Sequence, residues 1–375
     1  MIKLRSGLVS RVESNSDGVS TLVVVVDGEV AKAINYDFLT GSVQPGEKVL
    51  LNTTAEDLGL GSGGNHFVVG SQDRRWDSQA DRQPSPRGSG HIIKLRYTPL
   101  QLKVMAVEEE DSPYRRDIEK FTSLKSTPVV VGTLHSQLAA AAMGAKKSSS
   151  GKLKIDYVMT DGAALPIQYS NQVRELKKLG LIDLTVTAGH AFGGDLEAVN
   201  MYTALIAAKE AGKADIIIVT MGPGIVGTGT QYGFTGVEQG EILNAAAILG
   251  GQPICLPRIS FADPRERHTG ISHHTLTVLE KIANQPCTLA LPVVDGAKRH
   301  YIRRQLSDRG LFAKHEVEEL AADDIIKELL RSGFKVTTMG RGVEEDLEFF
   351  LAAAAAGKLA DSCMAFPGIR KADSG

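Results

Sequence analysis

Apolar positions along the chain follow two rhythms. From Met1 to about Gly70, short β-branched runs alternate with turn signals: GLVSRV, TLVVVVDG, EVAKAIN, PGEKVLLN and HFVVG. Runs of this length, with Asp27-Gly28 and Pro45-Gly46 between them, predict a small β-barrel or sandwich with hairpin turns at those dipeptides. After Ser112 the rhythm becomes apolar strand, polar break and amphipathic helix, repeated. TPVVVGTL, KLKIDYVMTDG, IDLTVTAGH, ADIIIVTMG, QPICLPRIS, CTLALPVVDG and FKVTTMG read as strands; LHSQLAAAAMGAKK, NQVRELKKLG, LEAVNMYTALIAAKEAG and HTLTVLEKIAN read as helices. Strands that are apolar throughout are covered on both sides, so the pattern predicts an α/β fold, a mainly parallel sheet with helices on both faces. The expected organisation is a β-rich module over 1–111 and an α/β domain over 112–375. A polar linker at 71–90 carries the only tryptophan, Trp76, and HIIKLRY and LQLKVMAVEE after it read as two further strands. GLGSGG at Gly59 to Gly64 precedes no helix pattern and so fails as a dinucleotide fingerprint.

Composition narrows the partners. With 42 basic and 44 acidic residues the formal net charge is -2, which gives no support to a nucleic-acid or membrane-surface role. Cys255, Cys287 and Cys363 form neither a CxxC site nor a disulfide framework, which fits a reducing compartment. The N-terminal MIKLRSGLVSRV has no signal-peptide apolar core, and the alanine-rich FFLAAAAAG is too short to span a bilayer. The cytoplasm is the expected location.

Parallel sheets bind ligands beyond the carboxyl ends of their strands, and three loops collect chemistry there. In TAGHAFGGD, His190 suits acid/base work, while Asp195 is either catalytic or the N-cap of a helix with Glu197 in its first turn. MGPGIVGTGTQYGFTG offers Gly222, Gly224, Gly227, Thr228, Gly229 and Thr230 as a phosphate or carboxylate cradle, or else as a structural loop or subunit contact. It holds no lysine, which excludes an ordinary P-loop. PRISFADPRERHTGISHH packs Arg258, Asp263, His268, His273 and His274 into one connection. Arginines holding an anionic substrate compete there with His268, His274 and Asp263 as metal ligands. Adjacent side chains on a helix diverge, so His273 and His274 are expected to act separately and no metal site is assigned. KRHYIRRQLSDR reads as a solvated helical face, and His315, before the acidic EVEELAADD, as a surface residue.

AFGGDLEAVN, GPGIVGTGTQYGF with the EQGEILNA helix after it, RISFADPRERHTGISHHTLT and the earlier VLLNTTAEDLGLGSGGNHFVV together resemble a bacterial family designated domain of unknown function 3866. The resemblance covers nearly the whole chain. It implies that the loops belong to one recurrent module, and it assigns no catalytic residue.

The expected function is therefore that of an enzyme, a hydrolase or transferase, acting on a small anionic metabolite of phosphorylated or nucleotide-like kind. Arg258 and the glycine-loop amides hold the anion in this reading, and His190 or His274 moves protons. A non-catalytic ligand sensor or assembly protein is the alternative, and a metal-dependent hydrolase the third. No cofactor is indicated, and a homodimer is compatible with the aliphatic, glycine-rich composition. Convergence of His190, Arg258 and His274 on one pocket separates the first reading from the second.

Overall fold

The computed structural model describes residues 2–59, 64–73, 90–147, 152–162 and 165–365. Trp76 and most of the 71–90 segment lie outside the described residues, as does the centre of GLGSGG. Two compact units emerge: one holds the described residues up to 73 together with 95–103, the other 90–94 and 104–365.

The first unit is a closed barrel of β1 (Leu4–Ser16), β2 (Val19–Val26), β3 (Glu29–Tyr36), β4 (Lys48–Asn52) and β5 (Asn65–Ser71), in the order β1-β2-β3-β5-β4. Asp27 and Gly28 both have positive φ, 52° and 87°. That is the two-residue turn whose twist matches a right-handed hairpin, and it joins β2 to β3. Pro45-Gly46 instead leads into β4 and docks on β1, with the Gly46 amide donating to the Val9 carbonyl at 2.8 Å. Leu22, Val24, Ala33, Val49 and Leu51 fill the interior. Two short strands follow, β6 (Ile92–Lys94) and β7 (Leu102–Val104).

The second unit is built on an eight-stranded, wholly parallel sheet. Its strands are β8 (Pro128–Val131), β9 (Ile155–Thr160), β10 (Leu184–Ala188), β11 (Leu196–Ala198), β12 (Ile216–Met221), β13 (Gln252–Cys255), β16 (Thr288–Pro292) and β17 (Glu316–Leu320). Their spatial order is β11-β10-β9-β12-β8-β13-β16-β17. Between β13 and β16 a small ribbon forms from β14 (Ile259–Ser260) and β15 (Gly270–Ile271). Consecutive residues of the central strands feed opposite cores: Val130, Ile216 and Ile218 pack on one face, Val129, Val131, Ile217 and Val219 on the other. Burial on both faces is why these strands read as unbroken apolar runs.

Two segments differ from the sequence reading. FKVTTMG makes no strand; Val336 is buried in the core without joining the sheet. The edge strand is instead Glu316–Leu320 inside the acidic stretch, where Glu319 accepts from Arg299 and Arg303 at 2.6 and 2.7 Å. His315, expected at the surface, is buried, with Nε2 2.9 Å from the Leu279 carbonyl and Nδ1 beside the Cys287 sulfur.

The alanine-rich segment near the end is helix Leu347–Ala365, which packs against helix Leu138–Ala145. Glycines permit the approach: a Cβ on Gly144 would lie 2.4 Å from the Ala354 carbonyl oxygen, and one on Gly357 2.0 Å from that of Ala141. Among the described residues no helix is long and apolar enough to cross a membrane.

Candidate functional site

The loop after β13 is pinched into a closed excursion, because β14 and β15 pair antiparallel with Ile259 opposite Ile271 and Ser260 opposite Gly270. His268 ends a single 3-10 turn inside the excursion, and Ser272 caps the helix His273–Thr277 by accepting from the His274 amide at 3.3 Å. The excursion thus returns His268 to the first turn of the helix that carries His273 and His274.

Ring centroids of His268 lie 5.1 Å from those of both other histidines, and His273 and His274 are 4.2 Å apart. A nitrogen from each of the three rings lies within 4.8 Å of the others. The expectation that neighbouring positions diverge is corrected here: the step of about 100° between successive helical residues is overcome by both rings leaning towards His268. Nδ1 of His268 is 2.7 Å from the Ser272 hydroxyl, whereas Nε2 of His273 and Nδ1 of His274 are buried atoms without a hydrogen-bond partner. Burial, with Arg258 and Arg265 adding to it, pushes His268 down to about 3. Burial and the two neighbouring imidazoles push His274 to about 3 as well, and burial and Arg267 lower His273. Each of these shifts favours the neutral imidazole.

Arg258, expected to hold an anion, is buried and paired within the protein. Its buried guanidinium donates to Asp263 at 3.0 Å. Arg265 also donates to Asp263, at 2.7 and 2.8 Å, and Arg341 stands 3.7 Å away while bonding Asp346 at 2.9 Å. The hydrogen bonds from Arg265 hold the Asp263 carboxyl well below the usual carboxylate range. Asp263 is therefore committed to arginines and is no free metal or substrate ligand. This knot fixes the base of the excursion. Arg265 and Arg267 are both exposed, but Arg265 is held by Asp263.

The Met221–Gly236 loop reaches the same place. Gly222 is buried against Met159 and Leu165, and Gly224 takes φ 111°. Farther on, Gly227 bridges Phe234, and the Thr228 amide donates to the Gly233 carbonyl at 2.8 Å. Thr228 and Thr230 hydroxyls lie 2.9 Å apart, and Thr230 accepts from the Gly233 amide at 3.2 Å. Much of the expected cradle thus bonds to itself and forms a stiff turn. That turn lies on the histidines: the Phe234 ring stacks on His274 with centroids 4.0 Å apart and planes 6° from parallel. A Cβ on Gly227 would come within 3.3 Å of His274 Cε1, and one on Gly229 within 3.9 Å of the Arg267 guanidinium carbon.

His190 and Asp195 belong to another neighbourhood. Three strands, β9, β12 and β8, separate β10 from β13, which at ~4.8 Å per strand sets their carboxyl ends about 19 Å apart. The His190 amide donates to Asp161 at 3.1 Å. Asp195 bonds Lys177 at 2.7 and 2.8 Å and accepts from the Thr185 amide and hydroxyl, both at 2.8 Å. Asp195 caps no helix, because Leu196–Ala198 is a strand and Asn200 caps the helix Met201–Glu210. Glu197 is buried and accepts from Thr187 and from the Gly193 amide, each at 2.7 Å. Lys94 lies 3.4 Å from Glu197, both side chains 1% exposed, and donates to the carbonyls of Ala191 and Ala198 at 3.1 Å. Sequence reasoning missed Lys94; the one signal was a lysine inside the apolar run HIIKLRY.

Two further polar features went unassigned. Glu238 accepts from Thr160 at 2.5 Å, and burial raises its carboxyl to about 7. Beyond β8 and β12, a cavity of about 490 Å³ is lined by His135, Tyr169, Ser170, Pro223, Phe334 and Lys335. Nε2 of His135 is 2.5 Å from the Ser170 hydroxyl and Nδ1 3.2 Å from that of Tyr157.

Fold and site together define an α/β protein with a barrel module and a three-histidine cluster at a sheet end. A family model described as "Protein of unknown function (DUF3866)" matches residues 32–357, and the chain belongs to that family. Neither a curated protein nor a solved structure matches it.

Proposed function

We propose that the chain is a cytoplasmic enzyme, a hydrolase or transferase, acting on a small anionic metabolite where the 222–236 and 258–274 loops converge. The observation that carries this reading is the stacking of Phe234 on His274 at 4.0 Å, which packs a stiff glycine turn onto three neutral imidazoles. Arg267 supplies the positive charge and half-exposed His273 the accessible ring. Arg258 and Asp263 position the loop, and His190 is not part of the machinery. The test is thermal denaturation of the full chain with inorganic phosphate, pyrophosphate, a nucleoside monophosphate and citrate. Stabilisation by one of these that Arg267→Ala abolishes supports the reading, and no stabilisation by any of them sinks it.

A non-catalytic ligand sensor is the second reading, favoured by the cavity at His135. That cavity lies where the connection leaving β8 runs to β9 on one side and the connection leaving β12 runs to β13 on the other, a change of direction at which doubly wound sheets take ligands. Ligand-induced stabilisation lost in His135→Ala and kept in Arg267→Ala would favour it.

A further inference from the structure

We propose that His268, His273 and His274 together hold one divalent transition-metal ion of the zinc class, with a fourth coordination position open to the anion. The argument begins with unmet bonding capacity. Buried polar atoms in folded proteins nearly always have a partner, and leaving one without costs about 1–3 kcal/mol. Here Nε2 of His273 and Nδ1 of His274, two such atoms on adjacent residues, have none. A cation shared by the three rings, one nitrogen of each lying within 4.8 Å of the others, would use bonding capacity that no group of the protein meets.

The third ring is already oriented for this. Ligating histidines usually donate their other ring N–H to a nearby oxygen, which fixes the tautomer. His268 Nδ1 lies 2.7 Å from the Ser272 hydroxyl, and with the Nδ1–H donated to that oxygen Nε2 is the lone-pair nitrogen. Three imidazoles are also a chemically selective set. Calcium and magnesium take oxygen ligands, whereas imidazole suits zinc, copper, nickel and iron. Asp263 would have made the set harder and more anionic, but its arginine partners withhold it.

Distances allow the ion after a modest adjustment. Metal–nitrogen bonds of ~2.0–2.1 Å at tetrahedral angles place nitrogens about 3.3 Å apart. From a spread of up to 4.8 Å, contraction of about 1.5 Å at most is needed, within reach of ring rotations at half-exposed His273. Three protein ligands plus one open position is the pattern of catalytic rather than structural zinc. Three neutral ligands leave the ion's charge of +2 uncompensated, and Arg267 stands beside the same turn. The fourth ligand should therefore be an anion, a step that rests on the function proposed above; the metal centre itself does not.

Co²⁺ titration of the chelator-treated full-length chain tests both. One equivalent should bind and give the visible bands of a low-coordinate cobalt–nitrogen site, and Zn²⁺ should displace it. His273→Ala should lower the affinity on the order of 100-fold, at the upper end of what loss of an orienting partner alone costs (~10–100-fold). Its metal-free thermal midpoint should stay unchanged, and His190→Ala should bind as the parent does. Absence of a one-equivalent complex, or equal affinity in His273→Ala, overturns the metal centre. Inorganic phosphate added to the cobalt form should shift the bands. Unshifted bands with cobalt still bound would overturn the anion as fourth ligand and leave the metal centre standing.

Discussion

The loop after β10 and the loop after β13 look alike as sequences and differ in one physical respect. Both bear glycines, histidine and carboxylates, and both follow a buried parallel strand. In the first, Lys94, Glu197, Thr187, Asp195, Lys177 and Thr185 use one another's hydrogen-bonding capacity. In the second, Asp263 is equally committed to arginines, yet two imidazole nitrogens are left over. A polar network whose members satisfy one another builds structure; one with capacity to spare on an accessible face is where a ligand can gain binding energy.

The largest test of that contrast strikes the saturated loop. Lys94→Met leaves Glu197 buried without its cation, and urea unfolding should show a loss of about 3–5 kcal/mol. A loss below about 1 kcal/mol would mean the network is not what holds the loop. A smaller test asks whether a missing partner alone marks a site. Asp156, at the amino end of β9, is fully buried with neither carboxyl oxygen bonded. Burial, and Asp183 after it, raises this carboxyl to about 8. Folding then takes up a proton, so its contribution is fully present below the ordinary carboxylate range and is lost as pH rises towards about 8. Asp156→Asn, which cannot ionise, should gain on the parent by about 1.4 kcal/mol per pH unit, or about 2–3 kcal/mol between pH 6 and 8. A constant gap across that range would remove Asp156 as the titrating group. The smallest effect is expected at the open loop: His273→Ala and Arg267→Ala should change unfolding free energy by no more than about 0.5 kcal/mol while ligand binding falls. Losses comparable to Lys94→Met would make these residues structural and erase the contrast.

The barrel and the parallel sheet were legible because burial on both faces writes itself into unbroken β-branched runs, and turns such as Asp27-Gly28 have their own residue chemistry. The edge strand Glu316–Leu320 was not, since half of an edge is solvated and its Glu319 answers to arginines on the helix Gly296–Ser307. FKVTTMG failed for the opposite reason, being apolar without a neighbour to pair with. At the site, the presence of His268, His273 and His274 in one loop was visible, but their convergence depends on the β14–β15 ribbon, two residues per strand and too short to leave a pattern. Arg258 reads as a ligand contact, whereas its guanidinium pairs with Asp263 in the same loop; the part of that knot hidden from the sequence is Arg341 and Asp346, far along the chain. The pairing of Lys94 with Glu197 escaped in the same way, the two being 103 positions apart.

The glycine contacts between Leu138–Ala145 and Leu347–Ala365 also have a consequence in time. These helices interlock backbone to backbone and cover the face carrying Val130, Tyr157 and Ile218. Between Ala145 and Gly357 lie about 200 residues, which at a synthesis rate of ~5–20 residues per second keeps the first helix waiting about 10–40 s for its mate. Until then one side of the sheet is an open apolar surface on a nascent chain, and chaperones have that interval in which to meet it.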